Sequence, residues 1–224
     1  MIVAIDGPAG SGKSTVAHAI AERHGLTFLD TGAMYRAVTL SCLERGVDVA
    51  DASAAADVAR GVRIDFDEDA AGAQTVLLDG RDVTAQIREA RIDQSVSAVA
   101  SVPAVREALV ERQRELGRDH DVVAEGRDIG TVVFPDADVK VFLTADARAR
   151  AHRRAVQREG GDAATVAADA ERKILEDIER RDRLDSTREA SPLVAAADAH
   201  HIDSSHMTVD EVVEQIGRLM KEAR

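Results

Sequence analysis

The sequence predicts a three-layer α/β fold with a five-stranded parallel sheet. Five short apolar runs alternate with segments of helical periodicity. The first run, Ile2 to Ile5, leads directly into the glycine-rich stretch Gly7 to Ser14, and a helical segment follows. Compact runs such as Val139 to Leu143 are typical of strands buried on both faces of a parallel sheet. Ligands of such sheets bind at the carboxyl ends of the strands.

The first elements repeat a strand, loop and helix rhythm. A helix is predicted from Thr15 to His24, and Gly25 is suited to end it. The run Leu26 to Leu29 predicts a second short strand. A helix is expected from about Ala33 to Arg45, because its apolar residues recur on one stripe and Gly46 can stop it.

The pattern changes between residues 60 and 100, which predict a small insert. Val62 to Phe66 and Thr75 to Leu78 are separated by an acidic, glycine-containing loop, and Asp79-Gly80 is a hairpin-type signal. These features predict a small antiparallel sheet. Helices are expected to resume from about Ile87 to Ala100 and from Ala104 to Leu116.

The last part of the chain predicts three more strands and a helical lid. Val122 to Ala124, Val139 to Leu143 and His200 to Asp203 are the strand candidates. Residues 146–183 are dense in arginine and glutamate and are interrupted at Gly160-Gly161, which predicts two solvated helices with a mobile tip. A capping box at residues 208–211 predicts the final helix.

Composition narrows the class of protein. The 224 residues, 45% of them hydrophobic, predict one globular domain over residues 1–224 with insertions. A net charge of −12 and only 2% aromatic residues argue against a nucleic-acid partner. No run is long enough for a membrane span, and the single cysteine fits a reducing compartment. We therefore expect a cytoplasmic protein, and a monomer because no exposed apolar stripe is evident.

The glycine-rich stretch matches the phosphate-binding loop pattern G-x-x-x-x-G-K-[ST] between a strand and a helix. Its glycines allow successive amides to converge on an anion at a helix N-terminus. Lys13 would reach the β and γ phosphates of ATP, and the Ser14 hydroxyl would bind the Mg²⁺ that bridges them. The predicted ATP-binding residues of the loop are Gly7, Pro8, Ala9, Gly10, Ser11, Gly12, Lys13, Ser14 and Thr15.

Three stretches rich in arginine fall where loops should meet at the carboxyl edge of the sheet. They are residues 30–36, 125–128 and 180–188. Guanidinium groups bind phosphate oxygens in pairs and stay charged at any relevant pH. Any one of these arginines alone is equally consistent with a surface salt bridge. Together they favour phosphoryl transfer to a second, phosphate-bearing substrate.

The chain resembles the bacterial cytidylate kinases over nearly its whole length. The run Gly126 to Pro135, Gly-Arg-Asp-Ile-Gly-Thr-Val-Val-Phe-Pro, carries most of the likeness. Leu29 to Arg36, Ala151 to Arg154 and Pro192 to Val194 add to it. The resemblance implies a P-loop NTPase fold of the nucleoside monophosphate (NMP) kinase type, with a lid and with an NMP-binding insert at residues 60–100. It also implies phosphate transfer from ATP to CMP or dCMP.

The resemblance further implies roles for single residues. Four residues would face the cytosine base: Thr31, Ser97, Arg106 and Asp128. Holding the acceptor phosphate would be Arg36, Arg127 and Arg181, with Asp185 and Arg181 touching the sugar. Following the transferring and donor phosphates would be Arg188 and the lid residues Arg153, Arg154 and Arg158. The implied catalytic set is Lys13, Arg127, Arg181 and Arg188.

The chemistry fits these residue types. A monophosphate is largely a dianion near neutrality, so no general base is required. The Asp128 carboxylate would accept a hydrogen bond from the amine of cytosine and face the O4 of uracil unfavourably, although a solvated or capping Asp128 is also possible. Closure of the lid over both nucleotides would exclude water.

Other functions stay open at this point. A kinase acting on UMP, AMP or an acceptor without phosphate is one alternative, and the arginines argue against the last. A P-loop regulator or a nucleic-acid-stimulated ATPase is another, and the acidic balance weighs against it.

Overall fold

A computed structural model describes residues 1–70, 73–158 and 168–223, with the side chains at 157, 158 and 168–170 left out. The chain divides into two compact units. Unit one comprises Met1–Leu29 and Leu116–Arg224, and unit two comprises Asp30–Glu115. The predicted lid tip at Gly160-Gly161 lies outside the described residues.

The elements follow the predicted alternation closely. The strands are β1 (Ile2–Asp6), β2 (Thr27–Asp30), β3 (Ile64–Glu68), β4 (Gln74–Leu78), β5 (Arg81–Asp82), β6 (Val122–Gly126), β7 (Val139–Thr144) and β8 (His200–Asp203). The α-helices are α1 (Lys13–His24), α2 (Thr31–Glu44), α3 (Ala52–Gly61), α4 (Ala90–Ser101), α5 (Pro103–Gly117), α6 (Ala147–Arg158), α7 (Ala168–Thr187) and α8 (Val209–Glu222). A 3₁₀ turn spans Gln86–Arg88, and a π-helical turn spans Ile129–Val133.

Unit one contains a five-stranded sheet in the order β2-β6-β1-β7-β8. Strand β1 pairs in parallel with β6 on one side and β7 on the other, so Val3 lies opposite both Val123 and Val139. The predicted parallel sheet is confirmed. The carboxyl ends of β1, β6 and β7 therefore meet at one edge, directly below the glycine-rich loop.

In unit one, helices α1 and α8 pack against the sheet and form a hydrophobic core with it. Strand residues such as Val3 and Ile5 are fully buried, as expected for a sheet enclosed on both faces. Burial of each such side chain contributes about 1.5–3 kcal/mol to folding. The cluster includes Val16, Ala17, Ile20, Val123, Val141, Leu143, Ile202, Val212, Val213, Ile216 and Met220.

Unit two contains the antiparallel sheet β3-β4-β5, as the hairpin signal predicted. Asp79 and Gly80 both have positive φ, 52° and 81°, and form the turn between β4 and β5. Helix α2 begins at Thr31, two residues before the predicted start. The reason is the Asp30 side chain, which caps the helix by accepting a hydrogen bond from the Ala33 amide at 2.9 Å.

Each described helix is too short or too polar to cross a membrane.

The cap of α8 offers a direct test of the fold. Thr208 Oγ1 accepts a hydrogen bond from the Glu211 amide, and Glu211 Oε2 accepts one from the Thr208 amide at 2.8 Å. Thr208→Ala removes the hydroxyl acceptor, so we expect the free energy of unfolding to fall by about 1 kcal/mol. Urea denaturation measures it, with Thr208→Ser as the control that keeps the cap. Equal midpoints for the alanine and serine variants would contradict this account.

Candidate functional site

The glycine-rich segment Gly7–Ser14, hereafter the phosphate loop, connects β1 to α1 in unit one. Gly10 and Gly12 have φ of 77° and 92°, in the left-handed region that favours glycine. A Cβ on Gly7 would lie 2.0 Å from the backbone oxygen of Leu143. The loop is thus held in one conformation, with its last glycine at the N-terminus of α1, where anions bind favourably.

Lys13 is buried, with only 4% of its surface exposed. Its Nζ donates a hydrogen bond to the backbone oxygen of Pro8 at 2.9 Å. Burial lowers the pKa of Lys13 to about 7, and the charge of Arg127 acts in the same direction. Nearby carboxylates of Glu125 and Asp6 oppose this shift. An anion placed beside Lys13 would restore its positive charge, so the site is built for a negatively charged ligand.

The Ser14 hydroxyl donates a short hydrogen bond to Glu125 Oε1. Glu125 is buried near the end of β6, the strand that pairs with β1. A hydroxyl and a carboxylate side by side are oxygen donors of the kind that Mg²⁺ accepts. Within the described ranges, no group of three or more His, Cys, Asp or Glu side chains is arranged to hold a metal ion. These oxygens therefore fit a metal that is carried in largely by phosphate, as Mg²⁺ commonly is.

Asp6, the last residue of β1, was not assigned a role from sequence. Its two carboxylate oxygens accept hydrogen bonds from the amides of Ile129 at 2.7 Å and Gly130 at 2.8 Å. The side chain is buried, and burial raises its pKa to about 6, although the hydrogen bonds from the two amides oppose the shift. Asp6 therefore fixes the segment that follows Arg127 and Asp128. An acidic residue ending a buried central strand was the sequence signal that could have identified it.

Four predicted residues from two distant stretches meet in unit one. Arg127 Nε donates to Asp185 Oδ2 at 2.9 Å. Arg188 lies 3.9 Å from Asp185 Oδ1 and 3.9 Å from Asp128 Oδ1. Burial alone would raise the pKa of Asp185, but the charges of Arg127, Arg188 and Arg181 hold that pKa below its usual value. Burial likewise opposes the charge of Arg127, and Asp185 more than compensates, raising the pKa of Arg127.

Helix α6, which belongs to the predicted lid, contributes further arginines to unit one. Arg153 donates to Ser204 Oγ at 3.1 Å and to the Ser204 backbone oxygen, and Ser204 Oγ lies 3.2 Å from the backbone oxygen of Ser11 in the phosphate loop. Arg154 is half-buried on the same helix. The Arg158 side chain is outside the described part of the chain. Sequence reasoning missed Arg150, whose guanidinium donates to the phosphate loop itself.

Four of the predicted CMP-binding residues belong to unit two. Arg36 donates to Asp93 Oδ1 at 2.5 Å and to the Ile87 backbone oxygen at 2.9 Å. Arg106 is buried, donates to the Ala100 backbone oxygen at 3.2 Å and stacks 5.1 Å above the Tyr35 ring. Thr31 is buried and Ser97 is half-buried. Helix α2 thus carries Thr31 and Arg36, while the Arg36–Asp93 pair joins it to α4.

The fold and this geometry define a P-loop protein with a kinase-like phosphate site. A solved structure of an uncharacterized protein from Eubacterium ventriosum has a similar fold, with a TM-score of 0.51 and 15% identity. That similarity covers 99% of this chain and 98% of the other.

More specific similarities come from sequence. The family described as "Cytidylate kinase" matches residues 3–222, and the chain belongs to this family. A cytidylate kinase from Rhodococcus opacus is 51% identical over 98% of this chain and 93% of its own length. One from Limosilactobacillus fermentum is 48% identical over 98% and 95%.

The shifted pKa of Asp6 predicts a pH-dependent contribution to stability. Between pH values of about 4 and 6 the folded state holds this proton while the unfolded state releases it, so ionisation becomes costly to the fold as pH rises. We expect the free energy of unfolding of the native chain, relative to Asp6→Asn, to decrease by up to about 3 kcal/mol over this range.

Urea denaturation at stepped pH measures that difference. Asp136→Asn, at an exposed position, is the matched control and should show a flat difference. A flat profile for Asp6→Asn as well would show that Asp6 is ionised at its ordinary pKa.

Proposed function

We propose that this chain transfers the γ-phosphoryl group of ATP to CMP or dCMP, giving ADP and CDP or dCDP. The observation that carries the proposal is the charged cluster at the phosphate loop, in which buried Lys13 lies near half-buried Arg127. Membership of the cytidylate kinase family supports the choice of acceptor. The activity would serve pyrimidine nucleotide metabolism.

The donor side is assigned to the phosphate loop. Its amides and Lys13 would bind the phosphates of ATP, with Arg153, Arg154 and Arg158 contributing from the lid. Ser14 and the adjacent Glu125 would hold Mg²⁺, directly or through water. When bound, Mg²⁺ would neutralise charge on the donor phosphates. Lys13, given a phosphate partner, would be fully protonated and would stabilise the same charge.

The transfer step needs charge compensation more than proton transfer. The acceptor monophosphate attacks as an anion, and catalysis then depends on aligning two phosphates that repel each other. Arg127, Arg181 and Arg188 would neutralise charge on the acceptor and the migrating group. Asp185 holds Arg127 by a hydrogen bond and would also contact the sugar. A single arginine of this kind is worth about 10³–10⁵ in rate in other phosphoryl-transfer enzymes.

Recognition of the base is assigned to Asp128 with three residues of unit two, Thr31, Ser97 and Arg106. Arg36, also of unit two, would bind the acceptor phosphate. Asp128 is buried, and its backbone oxygen accepts hydrogen bonds from the amides of Val132 and Val133, which fix the backbone. A rigid carboxylate accepts a hydrogen bond from an amine and repels a carbonyl oxygen. Cytosine would therefore be preferred to uracil.

The remaining features of the proposal concern organisation. We assign residues 60–100 to an NMP-binding insert and residues 146–183 to a lid that closes over the nucleotides. We also propose a monomer that acts in the cytoplasm and uses no nucleic-acid partner. The net charge of −12 supports the last point, because it opposes approach to a polyanion.

A coupled assay with ATP, Mg²⁺ and one acceptor at a time tests the activity. We expect equal amounts of ADP and CDP or dCDP with CMP or dCMP, and far slower turnover with UMP or AMP. Lys13→Met should lower turnover by at least about 10²-fold, since it removes the charge beside the donor phosphates. Formation of ADP only in the presence of a polynucleotide, with no nucleoside diphosphate product, would refute the proposal.

Substitution of Asp128 tests the assignment of base recognition. In Asp128→Asn the amide can donate to the O4 of uracil, so we expect kcat/KM for CMP to fall and the CMP to UMP ratio to narrow by about 10-fold or more. Steady-state kinetics with both acceptors measure the ratio. Asp136→Asn, a few residues along the chain and exposed, should leave it unchanged. An unaltered ratio in Asp128→Asn would remove Asp128 from the base site.

A further inference from the structure

Arg150, on helix α6, is a buried cation that the proposed reaction does not use. Only 7% of its surface is exposed. Its guanidinium makes three hydrogen bonds within unit one. Nε donates to the Ala145 backbone oxygen at 3.0 Å, and the same terminal nitrogen donates to the Ala9 backbone oxygen at 3.0 Å and to Asp182 Oδ2 at 2.6 Å.

These contacts join three segments that carry the candidate chemistry. Ala9 belongs to the phosphate loop, Ala145 precedes α6, and Asp182 lies on α7. The backbone also approaches closely, since a Cβ on Gly10 would lie 3.2 Å from the Arg150 backbone oxygen. The phosphate loop therefore rests against α6 at the position where Arg150 reaches across to α7.

Asp182 depends on this contact for its orientation. Its Oδ2 receives the Arg150 bond, while its Oδ1 is buried and has no hydrogen-bond partner among the described residues. Asp182 directly follows Arg181, Asp185 comes about one helical turn later on α7, and Arg188 is the first residue after the end of that helix. Its charge also acts on Arg127. A movement of Asp182 would therefore change the position or the electrostatic environment of the arginines assigned to transfer.

Burial of an ion pair is a poor way to gain stability, because desolvation offsets most of the attraction. The planar guanidinium does fix the orientation of its partners, because its N–H groups point in fixed directions. Here one terminal nitrogen donates to two acceptors. Arg150 donates to a carbonyl of the phosphate loop, whereas an anionic ligand would be bound by amides. Its role is accordingly to set the distance between the loop and α7, and not to hold phosphate.

We propose that Arg150, acting through Asp182, is a positioning residue that places Arg181 on α7, and Arg188 at its end, against the phosphate loop. The inference rests on the proposed kinase activity. A displacement of about 1 Å among reacting groups lowers rate by about 10²-fold even when binding is retained. Loss of Arg150 should therefore reduce kcat and leave the KM for ATP and for CMP nearly unchanged.

The experiment compares four single variants and one double variant of the full chain by steady-state kinetics with ATP and CMP. Arg150→Met keeps the length of the side chain without its donors, and Arg150→Lys keeps the charge and one donor group. Asp182→Asn keeps an acceptor without the charge. Arg148→Met, at an exposed position two residues earlier on α6, is the matched control. Thermal melts of each variant check that the fold is retained at the assay temperature.

We expect Arg150→Met to lower kcat about 10- to 100-fold with both KM values within about threefold of the native chain. Arg150→Lys should recover part of the loss, and Arg148→Met should behave as the native chain. The double variant of Arg150→Met and Asp182→Asn should be no slower than the slower single variant, because one interaction is removed in each.

Three outcomes would overturn the inference. A raised KM for ATP with unchanged kcat would make Arg150 a ligand of the nucleotide. Multiplying effects in the double variant would show that Arg150 and Asp182 act independently. Native kinetics for Arg150→Met would show a purely structural role. If the native chain itself formed no CDP, the proposed function would fail, which separates that failure from a failure of the positioning role.

Discussion

The central constraint on this molecule is the burial of positive charge away from water. The charge of Arg127 disfavours the charge of Lys13, and burial disfavours both charges. Asp185 offsets this for Arg127 by a direct hydrogen bond, while the Lys13 ammonium group donates to the uncharged backbone oxygen of Pro8. The cluster is therefore incomplete in charge at the phosphate loop. In the proposed reaction the phosphates of ATP would supply negative charge there.

The parallel sheet is what makes such a concentration of charge possible. Adjacent strands β1 and β6 end side by side, so Asp6 and Glu125 reach the loop region from neighbouring positions. Each then holds a different part of the site: Asp6 binds the amides of the segment after Asp128, and Glu125 binds Ser14. The apolar strands below them cannot shift without opening a fully buried core. The rigid sheet thus holds in place charged groups that would otherwise repel one another.

The fold was largely predictable because its signals are local. The phosphate loop, the Asp79-Gly80 turn and the Thr208 capping box are each written in a few adjacent residues, and each appears where expected. The predicted start of α2 was two residues late, because Asp30-Thr31-Gly32 resembles a loop in sequence, whereas Asp30 is in fact the N-cap of the helix. Asp6, Glu125 and Arg150 escaped notice for a different reason. Their partners lie more than 30 residues away, so the sequence does not show which groups they bind, even where, as for Asp6, the position at the end of a buried strand marks the residue itself.

The central place of β1 in its sheet affects how the polypeptide folds as it leaves the ribosome. Its pairing partners, β6 and β7, begin about 120 and 137 residues later, so the first strand has no neighbour until more than half of the chain has been made. The three-stranded sheet of unit two uses contacts between nearby residues and can close much sooner. During that interval Ile2–Asp6 is an apolar segment with both strand edges unpaired, a state that is prone to aggregation and that chaperones protect.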